Sequence, residues 1–119
     1  MPSLTSLVGA ATTAFSAALV VAPAVLIGPA RLVDTADTRT LVRALGARDV
    51  LSGLAMMAAP PGRARRLAAT ARALCDWTDA VVFPPALSGR GRRGLVAGSA
   101  WAWGALALGA VVLDERAGR

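Results

Sequence analysis

The chain has 119 residues, 55% of them hydrophobic, and a formal net charge of +6. A chain of this length has room for one domain. A soluble domain so small needs a polar exterior, but this chain has few residues to supply one: charged residues are only 17%, and Asn, Gln, Lys, His and Tyr are absent. Without histidine and with one cysteine, Cys75, the sequence predicts no metal site, no cofactor and no intrachain disulfide.

Four apolar segments follow one another along the chain, each near the length needed to cross roughly 30 Å of hydrocarbon. They cover about residues 4–27, 40–59, 64–87 and 95–113. Links rich in Pro, Gly and Arg separate them, as is typical of turns and membrane interfaces. The pattern predicts an all-α fold, an antiparallel four-helix transmembrane bundle that forms one integral-membrane domain over residues 1–119.

The first segment has two interpretations. The run "APA" at residues 22–24 resembles the cleavage site of a signal peptide. However, no basic residue precedes Arg31 and the apolar run exceeds a normal signal core, so we expect the segment to be retained and kinked at Pro23. A stripe of small residues along it predicts close helix packing; its members are Gly9, Thr12, Thr13 and Ser16.

The second and third segments carry charges where a membrane helix should be apolar. The stretch "RALGARDVLSG", residues 43–53, lies in the second, and the third has Arg72, Asp76 and Asp79 near its centre. At about 3 kcal/mol for each central charge, the third segment alone would cost roughly 9 kcal/mol to insert. It should therefore enter with a partner that neutralises it. A soluble four-helix bundle is the alternative.

An antiparallel pairing of these two segments around "APPGRA" supplies that partner. Residues at equal depth then have numbers that sum to about 122, which places Asp49 level with Arg72 and Arg43 level with Asp79, and puts Arg48 within a turn of Asp76. The result is a candidate site of zero formal charge; its six members are Arg43, Arg48, Asp49, Arg72, Asp76 and Asp79.

Such a cluster has two explanations. Ionisable residues inside a membrane mark substrate or proton sites, and Asp76 or Asp79 would then be the acid or base that the arginines orient. Alternatively, polar contacts only fasten helices that lack a hydrophobic drive to associate. The aromatic residues Trp77, Trp101 and Trp103 are candidate ligand-binding residues, although the last two point about 200° apart on a helix, so that only one can face inward.

Three functions are consistent with this pattern. The first is a site for a lipophilic small molecule, as substrate of an acid–base enzyme that performs cyclisation, isomerisation or epoxide opening. The second is a structural or accessory membrane subunit. The third is a proton- or ion-conducting element.

The basic charge bears on partners and location. A surplus of arginine favours contact with anionic lipid headgroups, and because the arginines are scattered between apolar segments we expect no nucleic-acid partner. The predicted location is the cell membrane, with multiple passes. The arginine counts on the two sides tie, so the sequence does not choose an orientation. Gly94 and Gly98 form a GxxxG pattern that favours a homo-oligomer.

With "RALGARDVLSG" followed by "RALCDWTD", the chain resembles a family of small actinobacterial four-helix membrane proteins of unknown function, and more loosely the DoxX-like group. A Gly-x-Arg-Asp stretch before an acidic pair carries the resemblance; here its residues are Gly46, Arg48, Asp49, Asp76 and Asp79. The resemblance implies the fold and a shared polar site, and no established reaction.

Overall fold

A computed structural model of the protein describes residues 2–30, 32–83 and 90–118. Within these ranges all regular structure is helical, which confirms the predicted all-α class. The five helices are α1 (Leu4–Val21), α2 (Ala24–Ala30), α3 (Ala36–Ala58), α4 (Arg63–Val82) and α5 (Arg90–Ala117).

The first apolar segment forms two helices. α1 ends at Val21, and Ala22 has the non-helical angles φ −136° and ψ 78°. Pro23 follows, which has no backbone N–H to donate, and α2 begins at Ala24. The expected kink at Pro23 is therefore a complete break, and the single helix expected over 4–27 is wrong.

The remaining helix ends follow from local chemistry. α3 begins earlier than the sequence predicts because the Thr35 hydroxyl accepts a hydrogen bond from the Thr38 amide at 3.1 Å, which caps the helix. The turn into α4 passes through Gly62 at φ +100°, a conformation that favours glycine. α4 ends at Val82, and the expected continuation to 87 lies outside the described residues.

Each of the four longer helices packs against two of the other long helices. α1 packs most extensively against α3, and α4 against α5, while contacts of α1 with α5 and of α3 with α4 join the two pairs. The α1–α3 interface is unusually close: a Cβ added to Gly53 would lie 2.8 Å from the Gly9 carbonyl oxygen, and one added to Gly46 would lie 2.8 Å from the Ser16 carbonyl oxygen. The small-residue stripe on α1 thus packs against a helix, as predicted.

Two polar contacts hold α1 against α5. The Asp114 carboxylate accepts hydrogen bonds from the Leu4 and Thr5 amides, both at 2.8 Å, and from the Thr5 hydroxyl at 2.6 Å. It therefore caps the first turn of α1, where backbone amides lack helical partners. Farther along, the Trp103 indole donates to the Thr12 hydroxyl at 2.9 Å.

Among the described residues, two helical stretches are long and apolar enough to cross a membrane, Leu4–Val21 and Arg93–Ala117. By the same test of length and composition, α3 and α4 do not qualify, since they carry the charges described next.

Candidate functional site

Arg72 lies at the centre of the buried charges, with a side chain only 1% exposed. Its Nε and Nη2 donate to the two carboxylate oxygens of Asp76, at 3.0 and 2.5 Å. The two residues are four apart on α4 and so share one helix face. The remaining nitrogen, Nη1, donates to the Ser52 hydroxyl at 2.8 Å and lies 2.8 Å from Oδ1 of Asp49. Arg72 therefore joins α4 to α3, and the expected level pairing with Asp49 is present.

Arg48 forms the second half of the cluster and is more accessible, with 35% of its side chain exposed. Its Nη1 and Nη2 donate to the two carboxylate oxygens of Asp79, at 3.1 and 2.6 Å. Its Nε donates to Oδ1 of Asp49 at 2.9 Å. Asp49 is thus shared between both arginines, and we use "the Arg/Asp cluster" for these five residues: Arg48, Asp49, Arg72, Asp76 and Asp79.

Arg43 does not belong to the cluster, contrary to expectation. Its Nε donates to the Val20 carbonyl oxygen on α1 at 3.2 Å, and Asp79 pairs with Arg48 instead. The physical reason is direction: five residues along a helix turn the side chain about 140° away from its starting direction. Arg43 and Arg48 therefore cannot both face α4. Arg48, which the sequence puts within a turn of Asp76, pairs with Asp79, three residues farther along α4.

The absence of Arg43 from the cluster changes the formal charge of the site. Without Arg43, two guanidinium groups face three carboxylates, so the Arg/Asp cluster has a formal charge of −1 where the sequence predicted zero. The described parts of α1 and α2, which also pack on α3, contain no charged residue.

The tryptophans occupy two separate places. The Trp77 and Trp101 rings lie 5.3 Å apart between centroids, tilted by 33°, and the Trp77 indole donates to the Trp101 carbonyl oxygen at 3.3 Å. Gly104 makes room for Trp77, because a Cβ there would lie 2.5 Å from the indole nitrogen. Trp103 points to α1, as the Thr12 contact shows. Trp101 is 48% exposed, so only Trp103 of the two faces inward.

A cleft of about 270 Å³ opens beside the accessible half of the cluster. Its lining is apolar except for one guanidinium group, that of Arg48; the other lining residues are Leu41, Ala44, Leu45 and Phe83. None of the three tryptophans lines this cleft.

Sequence reasoning missed two residues that the structure makes important. Ser52 lies four residues after Arg48, on the same face of α3, and helical spacing could have found it. Asp114 bonds to a helix end 109 and 110 residues away in sequence, and no local pattern indicates such a contact.

Comparison with known protein families, with curated proteins and with solved structures finds no match to this chain. The resemblance drawn from residues 43–53 and 72–79 therefore stays a prediction.

Proposed function

We propose that this chain is a multi-pass integral membrane protein whose α3–α4 cleft binds an uncharged lipophilic molecule through an oxygen acceptor at Arg48. The observation that carries the proposal is the apolar cleft beside Arg48. An accessible charged donor at the wall of an apolar cavity is typical of sites for small lipophilic ligands.

The exposure of many large aliphatic side chains supports the membrane location. The largest fully buried side chains are Arg72, Met56, Thr5 and Ser16, whereas Leu51 is 70% exposed and Leu95 is 68% exposed. In a water-soluble domain the large aliphatic residues fill the interior. Here polar side chains are buried beside a core of small and aliphatic residues, and many large aliphatic side chains face outward, which suits a hydrocarbon solvent.

The lengths of the two charged helices support the same location. At 1.5 Å per residue, the 23 residues of α3 span about 35 Å and the 20 residues of α4 about 30 Å, enough to cross the hydrocarbon layer. The charges near mid-helix, which are those of the Arg/Asp cluster, are paired within and between the two helices, so α3 and α4 can enter lipid as a unit although neither is apolar enough alone.

The unused donors of Arg48 support ligand binding. A guanidinium has five N–H groups, and those of Arg48 donate three hydrogen bonds within the cluster, which leaves two for an acceptor in the cleft. An anionic ligand would add to the formal charge of −1, and a cationic ligand would face the guanidinium directly. An uncharged molecule with a ketone, epoxide or alcohol oxygen avoids both costs.

The proposal extends to acid–base chemistry, namely cyclisation, isomerisation or epoxide opening. Arg48 would polarise the bound oxygen, and Asp79, which is 20% exposed, would be the more accessible carboxylate. Asp76 is a weaker candidate for this role, because its side chain is only 10% exposed and its partner Arg72 only 1%. Arg72 instead serves the helix-fastening role that the alternative function predicts, because its Nη1 reaches Ser52 and Asp49 on α3.

Photolabelling of the full chain in lipid bilayers tests the proposal. The probe is a long-chain aliphatic ketone with a diazirine group, and labelled positions are mapped by peptide mass spectrometry. We expect labelling around Leu41–Arg48 and Phe83 that excess unlabelled ketone suppresses, with weaker labelling by the matching carboxylic acid and trimethylammonium probes.

Two variants of α3 make the test specific to the cleft. Ala44→Phe fills the cleft and should abolish the suppressible labelling, whereas Ala47→Phe, at an exposed position outside the lining, should leave it unchanged. Equal labelling of both variants, or labelling spread over all outward-facing helices without suppression by ketone, would overturn the binding proposal.

A further inference from the structure

We propose that a cavity at the end of the bundle where α3 turns into α4 binds the phosphodiester group of a membrane phospholipid through Arg65. The proposal rests on the membrane location in the proposed function. It is independent of ligand binding in the α3–α4 cleft, since the two sites share no lining residue.

The cavity has a volume of about 200 Å³ and lies beside the turn at residues 61 and 62; we call it the turn cavity. Its charged lining residues come from the start of α4 and the end of α5, and they are Arg65, Arg66, Asp114 and Glu115. Because α3 and α4 are each long enough to cross the hydrocarbon layer, the turn that joins them lies among the lipid headgroups.

Arg65 supplies the unused hydrogen-bond donors of the turn cavity. Asp114 accepts hydrogen bonds from the first turn of α1, and Glu115 forms an ion pair with Arg66. Arg65 interacts with Asp114 only through space, and its guanidinium donates no hydrogen bond to any residue that the structure describes. An acceptor in the cavity therefore meets a guanidinium whose donors are all available.

The Arg65 guanidinium is held at the wall of the cavity instead of extending into solvent. Its side chain is partly buried and its Nε is buried. A side chain anchored in this way loses less conformational entropy when it binds a ligand. The planar guanidinium matches the geometry of two phosphate oxygens, which is why arginine is the usual residue for bidentate recognition of phosphate.

The charges of the lining favour a ligand with a single negative charge. The two arginines and two carboxylates sum to zero, so a dianionic phosphomonoester would approach Asp114 and Glu115 with a second charge that nothing compensates. The N-terminus of α4 adds only a partial positive charge, which stays available because the first turn has no acidic residue and Gly62 supplies no side-chain cap. A phosphodiester carries one negative charge and meets these conditions.

Neighbouring aliphatic side chains indicate that the phosphodiester belongs to a lipid. Leu67 follows the lining residue Arg66 and is 59% exposed, and Leu113 precedes Asp114 and is 53% exposed. Both lie on the hydrocarbon side of the cavity, where acyl chains would contact them. The cavity itself is smaller than a site for a drug-sized ligand, which suits a headgroup.

Native mass spectrometry of the full chain in detergent tests the proposal. The probe is phosphatidylglycerol, and the comparison lipid is a galactolipid with the same acyl chains and no phosphate. We expect the chain to retain a single phosphatidylglycerol and to lose the galactolipid. Arg65→Gln should weaken phosphatidylglycerol binding by about tenfold, because hydrogen bonds from a charged donor are lost. Arg63→Gln removes the same charge from the same turn of α4 but lies outside the lining, so it should change binding by less than about twofold.

Three results would overturn the proposal: equal weakening by Arg65→Gln and Arg63→Gln, equal retention of the galactolipid, or binding of the soluble headgroup glycerophosphoglycerol as tight as that of the lipid. The last two comparisons use the unmutated protein, so they decide the question even where Arg65→Gln does not fold. Arg65 does not line the α3–α4 cleft, and suppressible ketone labelling should persist in Arg65→Gln. Suppressible ketone labelling without retention of phosphatidylglycerol by the unmutated protein would remove the lipid site and leave the proposed function standing.

Discussion

Arg72 and Asp76 form the most deeply buried ion pair of the Arg/Asp cluster, with side chains 1% and 10% exposed. Both residues belong to α4, so the pair needs no other helix in order to form. The third guanidinium nitrogen then reaches across to Ser52 and Asp49 on α3. Arg72 thereby neutralises Asp76 on its own helix and joins α4 to α3.

Removing Arg72 alone should be severely destabilising. Arg72→Leu leaves Asp76 buried without its partner, and breaking a buried pair in this way typically costs about 3–5 kcal/mol. Arg72→Leu combined with Asp76→Leu deletes the stranded charge, so the double variant should be more stable than Arg72→Leu by about 1 kcal/mol or more. Thermal unfolding in detergent measures both effects.

The exposed pair of Arg66 with Glu115 provides the control for this measurement. Its arginine is 60% exposed, and Arg66→Leu should cost about 1 kcal/mol or less. Strictly additive losses at Arg72 and Asp76 would contradict the pairing.

Gly53 should not tolerate a methyl group. In Gly53→Ala the new Cβ would lie 2.8 Å from the Gly9 carbonyl oxygen and 2.9 Å from the Thr13 amide nitrogen, so α1 and α3 must separate. We expect a loss of about 1–3 kcal/mol of stability, as for other overpacked interiors. Gly98→Ala, with open space around the new Cβ, should be neutral or stabilise α5 by up to about 1 kcal/mol. If chemical denaturation ranks the two variants equally, the close α1–α3 approach is wrong.

Asp114 should protect the first turn of α1. Asp114→Ala removes the acceptor of the Leu4 and Thr5 amides, and losing a helix cap typically costs about 1 kcal/mol. Hydrogen exchange at these two amides should therefore accelerate by roughly fivefold. Glu115→Ala, one residue later, should leave both amides unchanged. Unchanged exchange in Asp114→Ala would show that the cap does not form in the membrane.

The membrane location predicts how the protein fractionates. Because large aliphatic side chains cover the exterior, the chain should remain in the membrane pellet after alkaline carbonate washing and should require detergent for extraction. We also expect intact-mass measurement to retain residues 4–21, since α1 packs along α3 and contacts α5. A monodisperse, detergent-free soluble protein would contradict the membrane location, and loss of residues 4–21 would contradict retention of α1.

The sequence predicts which residues of α3 and α4 lie at the same depth, but it does not predict the direction in which each side chain points. The tight turn at Gly62 fixes which residues of α3 and α4 lie level, and so Asp49 meets Arg72 as expected. Equal depth does not determine which way each side chain points. For this reason the prediction that Arg43 belongs to the site is wrong, and so is the predicted formal charge of zero.

The helix break at Ala22 and the cap by Asp114 could not be predicted from the sequence, for two different reasons. Pro23 indicates a disturbance of the helix, but whether a helix bends or stops depends on what packs around it. The Asp114 cap depends on how the first and last helices come together, which is decided by the whole arrangement. The apolar cleft was likewise not predictable from local sequence, because residues of α3 and the distant Phe83 line it together.

The cap that Asp114 places on α1 also has a consequence for biosynthesis. Because α1 is synthesised before α5, the Leu4 and Thr5 amides must wait for their Asp114 acceptor until most of α5 has been made. During that interval α1 and α3 can already pair through their glycines, but the first turn of α1 lacks the Asp114 cap. Nascent chains arrested before residue 114 should therefore be cleaved near their N-terminus by proteases that spare the released protein.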